Sequence, residues 1–161
     1  MNTRLTIGII TVIAILLGIF VFINITGGNV GSFLSPLFTK RGTLTLDTHK
    51  FTVFEAKTEK EKEIGLSERP TLRANEGMVF LFDKPDYYGF WMKNMKFPLD
   101  ILYIQNKKIV TIFQNIPNPK SANDNLQVYT PSDPADMVLE LNAGTVLRDH
   151  ISVGDSVTTS L

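Results

Sequence analysis

Residues 99–113 read LDILYIQNKKIVTIF, two apolar runs set around Asn106-Lys107. Asn tolerates the left-handed backbone of a tight turn, so the stretch predicts a β-hairpin with strands over residues 99–104 and 108–113. Upstream, residues 43–46 and 51–54 alternate polar and apolar around a turn at 47–50, which predicts another hairpin. Residues 77–82 (GMVFLF) form a short apolar run, the pattern of a buried strand. A loop through Pro85 follows over 83–88, then a strand at 89–93. Further strands are expected at 138–141 and, after Gly154-Asp155, at 156–159. Residues 116–134 carry four prolines and read mainly as loop. Helices are few. Thr58 with Glu61 three residues on makes a capping box that opens TEKEKEIGL, a short helix with a solvated charged face. Gly65 ends it, Pro70 bars its continuation, and residues 144–149 fit one helical turn. The fold class is α+β and mainly antiparallel β: a small compact sandwich or barrel-like domain with one or two short helices.

The front of the chain obeys a different rule. Residues 5–25, LTIGIITVIAILLGIFVFINI from Leu5 to Ile25, carry no charge and only Thr6, Thr11 and Asn24 as polar interruptions. As a helix they would span about 31 Å, against a hydrocarbon core of about 30 Å. A single transmembrane helix therefore precedes the domain, giving an anchor over residues 1–26, a Gly/Ser/Asn/Pro-rich tether over 27–42 and a globular domain over 43–161. A cleaved signal peptide is the alternative. It has a shorter apolar stretch and a small-residue site, for which Thr26 and Gly28 are weak candidates. Arg4 and the N-terminal amine flank the helix closely, while Lys40 and Arg41 lie farther off, which favours the domain outside the cytoplasm. Within the tether, Phe33, Leu34, Leu37 and Phe38 can rest on the bilayer or dock on the domain.

Composition removes several function classes. The formal net charge is zero. It is the sum of +2 over residues 1–40 and −2 over 41–161, where 14 basic residues meet 16 acidic ones. Lysines alternate with glutamates along 57–63, so no basic face points to nucleic acid. The absence of cysteine excludes disulfides, thiolate metal sites and a cysteine nucleophile. No phosphate-loop, dinucleotide or nucleophile-elbow motif is present. His49 and His150 are the only histidines, without a second ligand at metal spacing, and read as surface residues. No cofactor or metal is expected.

What remains is concentrated at residues 77–113, which hold nine of the chain's 16 aromatics. On a strand, Phe90 and Met92 point one way and Trp91 and Lys93 the other. Asp100 opens an apolar strand, and Glu140 interrupts the apolar run 138–141. One reading is a ligand pocket: Trp91 a stacking wall, Lys93 a cation, Asn94 an amide, with Asp100 and Glu140 orienting or balancing Lys93. Such a set suits a small polar ligand with an anionic or carbohydrate-like part. The architectural reading puts Trp91 in the core, Lys93 in a buried pair with Asp100 or Glu140, and Asn94 at a turn. A domain without disulfides must then rest on packing centred on the aromatics around Trp91.

The succession GMVFLF, FWMKN, PLDILYI, VLELNAG and Gly154-Asp155 resembles the DUF192 family from about Phe54 to Val157. Met95 stands where that family usually has threonine, Ser67 where its Gly-Leu pair is followed by methionine, and His150 where glycine is common. The resemblance implies a compact, mainly β domain with short helices and, in many members, an N-terminal export or anchor segment. It implies no activity.

Three functions compete. The preferred one is a membrane-tethered extracytoplasmic module that binds a small ligand or assists an envelope protein, with the bilayer as partner through residues 5–25. An acid–base hydrolase or lyase using Lys93, Asp100 and Glu140 is the second. The third is a purely structural or interaction module held by a Lys93-centred pair.

Overall fold

The computed structural model describes residues 40–121 and 126–161. The expected membrane span and nearly all of the tether lie outside the described residues. Among the described residues no helix is long and apolar enough to cross a membrane.

In chain order the elements are β1 (Arg41–Leu46), β2 (His49–Ala56), α1 (Glu59–Ile64), β3 (Glu76–Asp86), β4 (Phe90–Trp91), β5 (Leu99–Gln105), β6 (Lys108–Ile116), β7 (Val128–Tyr129), β8 (Ala135–Asn142), α2 (Thr145–Arg148) and β9 (Val157–Ser160). Seven strands form one sheet in the order β6-β5-β8-β3-β2-β1-β9, and β4 and β7 form a separate two-stranded ribbon. All pairings in the large sheet are antiparallel except β2 with β3. A parallel pair cannot be joined by a tight turn, so the chain between β2 and β3 must cross over a face of the sheet. The crossover carries α1, which is why a helix sits against this part of the sheet.

The sheet curls until its edges meet at one end. Lys108 on β6 bridges Ser156 before β9, Val157 N donates to the Lys107 carbonyl at 2.8 Å, and Gly154 N donates to the Ile109 carbonyl at 2.8 Å. The architecture is a partly closed barrel rather than a sandwich. Two local devices fix the closure. Asn106 and Lys107 both adopt positive φ, 51° and 59°, the two-residue turn that matches the twist of paired strands. Asp47, at φ 49° in the β1–β2 turn, accepts from Ser156 N at 3.2 Å and Ser156 Oγ at 2.9 Å, tying that turn to the start of β9.

Both faces of the sheet are buried. Leu44, Leu46, Phe51, Val53, Val79, Leu102, Leu139 and Leu141 pack on the concave side together with Val146 of α2. Phe54, Met78, Phe80, Ile101, Tyr103 and Val138, from alternate positions, are buried on the other side. That is the reason the apolar run of β5 is continuous: residues 99–104 are all buried.

Strand boundaries depart from expectation where pairing, not composition, decides them. β2 begins at His49 because the β1–β2 turn needs only two residues. The expected loop at 83–88 belongs in part to β3, which runs through Pro85 to Asp86. Its register with β8 is broken between Leu81 and Asp86, the kind of irregular stretch where a residue lacking an N–H is tolerated. The long loop at 116–134 contributes β7.

Candidate functional site

On α1, the capping box is complete: Glu61 N donates to Thr58 Oγ1 at 3.3 Å and Thr58 N to Glu61 Oε2 at 2.9 Å. Gly65, at φ 50°, ends the helix directly over the Phe80 ring. The charged face of α1 is not wholly solvated as expected. Lys62 keeps only 15% of its side chain exposed, with its ammonium 4.5 Å from the centroid of Phe82 and 3.1 Å from Glu59.

Phe80 and Phe82 project from the same face of β3. Phe82 stacks on Tyr88, and Phe90 stands edge-on to Phe80 at 4.8 Å and to Tyr103 at 5.9 Å. The Tyr103 hydroxyl, on β5, lies 2.9 Å from the Tyr88 carbonyl and 2.7 Å from the Tyr129 carbonyl. Its single proton is shared between these two carbonyls on the flanks of the β4–β7 ribbon and so fastens the ribbon to the sheet. Burial holds the Tyr103 hydroxyl well above the ordinary tyrosine range, so it remains a donor.

Between α1, β3 and the ribbon lies a cleft of about 190 Å³. Its walls include Phe80, Phe82, Tyr88 and Phe90, and its mouth is ringed by Glu59, Lys62, Glu63, Trp91 and Lys93. Glu140 lines it from β8. This carboxyl is 5% exposed, and its Oε2 is buried without a hydrogen-bond partner. Burial alone pushes it up to about 8, because a carboxylate there would lose its water without gaining a compensating charge. At neutral pH it is mostly the neutral acid, able to donate one hydrogen bond.

The residues singled out from sequence do not all converge. Trp91, Lys93 and Glu140 line one cleft. Asp100 does not. It pairs in register with Leu141, whereas Glu140 pairs with Ile101, so the two carboxylates project from opposite faces of the sheet. Asp100 accepts from Asn115 N at 2.8 Å and from Val146 N at 2.9 Å. It thereby holds the positive-φ Asn115 and the first turn of α2. Asn94 is exposed and sits in the left-handed position of a turn closed by Met95 N donating to the Met92 carbonyl at 3.1 Å.

The architectural reading of Trp91 and Lys93 is corrected as well. Trp91 is 52% exposed, because two-residue β4 lies on a ribbon outside the main sheet. The packed aromatic centre is instead Phe80, Phe90 and Tyr103. Lys93 is exposed, with its ammonium 5.2 Å from the Trp91 ring, and no buried ion pair forms on it among the described residues. Sequence reasoning missed Lys62 and the aromatic walls as parts of one site. The available signal was the placement of Phe80 and Phe82 two residues apart, on the face that Glu140 shares.

Elsewhere, His49 Nδ1 lies 3.9 Å from Asp149 Oδ2, and Arg148 grips Asp149 with two hydrogen bonds. Among the described residues no three His, Cys, Asp or Glu side chains are placed to hold a metal ion.

The half-closed β barrel is a fold shared with solved proteins. The family model of DUF192, described as uncharacterized ACR, matches residues 42–159, and the chain belongs to that family. Two solved structures are similar to it. One is a putative transcription regulator from Sinorhizobium meliloti 1021, 32% identical, TM-score 0.69, the match covering 78% of this chain and 98% of the other. The second is a protein of unknown function from Novosphingobium aromaticivorans DSM 12444, 32% identical, TM-score 0.63, covering 73% and 83%. No curated protein matches the chain.

Proposed function

We propose that this domain is a small-ligand-binding module whose site is the cleft over Glu140. The observation that carries the reading is the buried Glu140 Oε2, which has no hydrogen-bond partner and belongs to a cleft with aromatic walls. Buried polar groups in folded proteins are nearly always hydrogen-bonded, and a group left open in a cleft is matched when a ligand supplies the partner. The volume of about 190 Å³ lies below the range for drug-sized ligands, so the ligand is small. Trp91 is the chain's sole tryptophan and stands at the cleft mouth, so intrinsic fluorescence reports on this site alone. The test is titration of the protein with small envelope metabolites, following Trp91 emission with Glu140→Gln as control. A ligand that shifts the emission of the parent but not of the variant supports the reading. A panel that shifts neither, or both equally, counts against it.

The acid–base alternative finds little support in its original form, because Asp100 and Glu140 cannot act on one substrate from opposite faces. A regulatory role like that named for the Sinorhizobium relative fits ligand sensing better than contact with nucleic acid, given the −2 balance of residues 41–161.

We further propose that residues 5–25 anchor the module to the bilayer with the domain outside the cytoplasm, where an envelope protein is a second partner. The uncharged 21-residue apolar run supports this. Because the chain has no cysteine, one introduced at the exposed Val153 can be labelled in intact cells by a membrane-impermeant maleimide. Labelling only after lysis would place the domain inside.

A further inference from the structure

The cleft combines a buried carboxyl, aromatic walls and more exposed lysines, and this order of burial narrows the ligand. At the inner end stands Glu140, a single carboxyl without a counter-ion. Burial alone disfavours its ionisation, and no neighbouring ammonium offsets that cost. At the outer end stand Lys62 and Lys93, each with its ammonium over an aromatic ring. Glu59, which pairs with Lys62, is almost wholly in solvent, at 93% side-chain exposure, and is free to swing aside. Lys93 pairs with no carboxylate among the described residues. Phe80 and Phe90 line the same cleft and offer the apolar, electron-rich surface that holds alkylammonium groups.

From this order we propose that the cleft takes a compact zwitterion, a betaine or small amino acid, with its ammonium directed inward to Glu140 and its carboxylate outward to Lys62 and Lys93. This deepens the proposed function and rests on it. A simple anion would leave the inner carboxyl unpaired, and a simple cation would leave the Lys93 ammonium, which pairs with no carboxylate among the described residues, unanswered. The zwitterion places each of its charges beside the opposite one. It also changes the state of Glu140, because an ammonium at the floor stabilises the carboxylate that the empty cleft disfavours. Binding therefore releases a proton. The other titratable groups facing the cleft are Glu59, Lys62 and Glu63 from α1, Tyr88 and Lys93 beside β4, and Tyr103 beneath it.

The test uses the full chain in detergent, with glycine betaine as probe. Isothermal titration calorimetry is run beside Trp91 emission at pH 6 and pH 9. Three comparators are included: the anion of tert-butylacetic acid, in which carbon replaces the ammonium nitrogen; tetramethylammonium; and glucose. The expected result is tighter betaine binding at pH 9 than at pH 6, by on the order of 90-fold for a group titrating near 8. The carbon isostere and tetramethylammonium should each bind at least about tenfold more weakly, one opposite charge pair being lost. Glu140→Gln should weaken betaine by a similar factor and abolish the pH dependence, its thermal melt confirming that it folds. If the carbon isostere or glucose binds as well as betaine, or binding tightens toward pH 6, the zwitterion is overturned while the binding cleft stands. If no probe produces heat or moves Trp91 emission, both readings fall.

Discussion

Asp100 and Glu140 are carboxylates on adjacent strands, one step out of register, and the sheet sends them to opposite fates. Asp100 is fully buried and takes two backbone N–H groups. Glu140 lines the aromatic cleft, and its buried Oε2 has no hydrogen-bond partner. The first is architecture, because its acceptors are consumed in holding α2 and the end of β6. The second is open to an incoming group, because the fold leaves it unanswered. Burial by itself does not separate them, and Glu55 makes the same point. It is 2% exposed, and burial pushes its carboxyl up as it does that of Glu140. Yet Lys57 at 2.8 Å and Lys40 at 3.2 Å outweigh that push and hold it below the ordinary carboxylate range. The supply of donors, not depth, decides whether a buried carboxyl is a strut or a site.

The contrast can be broken most directly at Asp100. Asp100→Ala removes two charge-assisted bonds and strands their donors, so chemical denaturation should show a loss of about 4 kcal/mol. A loss below about 1 kcal/mol would mean that the carboxylate is not structural.

Glu140→Gln should behave in the opposite way. Because the folded-state value of about 8 lies above the unfolded one, the protonated form favours the fold. That advantage is complete below about pH 4.5 and is lost as pH rises through 8. The parent should lose stability steadily over that window, while the variant stays flat. At pH 8 the variant should be the more stable by on the order of 4 kcal/mol. Parallel pH–stability curves for the two proteins would contradict the account.

Tyr103→Phe leaves the ring in place and removes the hydroxyl shared by the two ribbon carbonyls. A loss of about 1 kcal/mol is expected, with faster amide exchange at the β4–β7 pair and little change at β1–β2. Uniform loosening of both would assign Tyr103 a core role only. The smallest effect should come from Trp91→Ala. As an exposed side chain on a two-residue strand it should shift stability by no more than about 0.5 kcal/mol. A large loss would restore Trp91 to the core.

These expectations mark what could be read from residues and what could not. Alternation and turn chemistry located β1, β5, β6, β8 and both helices to within a few residues, because each is specified by contacts close in sequence. The capping box at Thr58 and the left-handed turn at Asn106 are the clearest cases. The parallel pairing of β2 with β3 is not local, since it depends on where the crossover returns. Neither is the closure of β6 on β9, carried by backbone bonds between residues 107–109 and 154–157. The site followed the same division. Trp91, Lys93 and Glu140 were legible as chemistry-bearing residues in an apolar setting. The exclusion of Asp100 required the register between β5 and β8, which no local pattern encodes. Lys62 required knowing which side of α1 meets the sheet.

The account rests on Glu140 being a neutral acid in the empty cleft. The direct measurement is the carboxyl carbon chemical shift of Glu140 in ¹³C-labelled protein, assigned by difference against Glu140→Gln and followed across pH. A midpoint near 8 is the predicted result. A midpoint at the ordinary glutamate value, near 4.5, would show that the carboxyl has a partner or free access to water, and would contradict it.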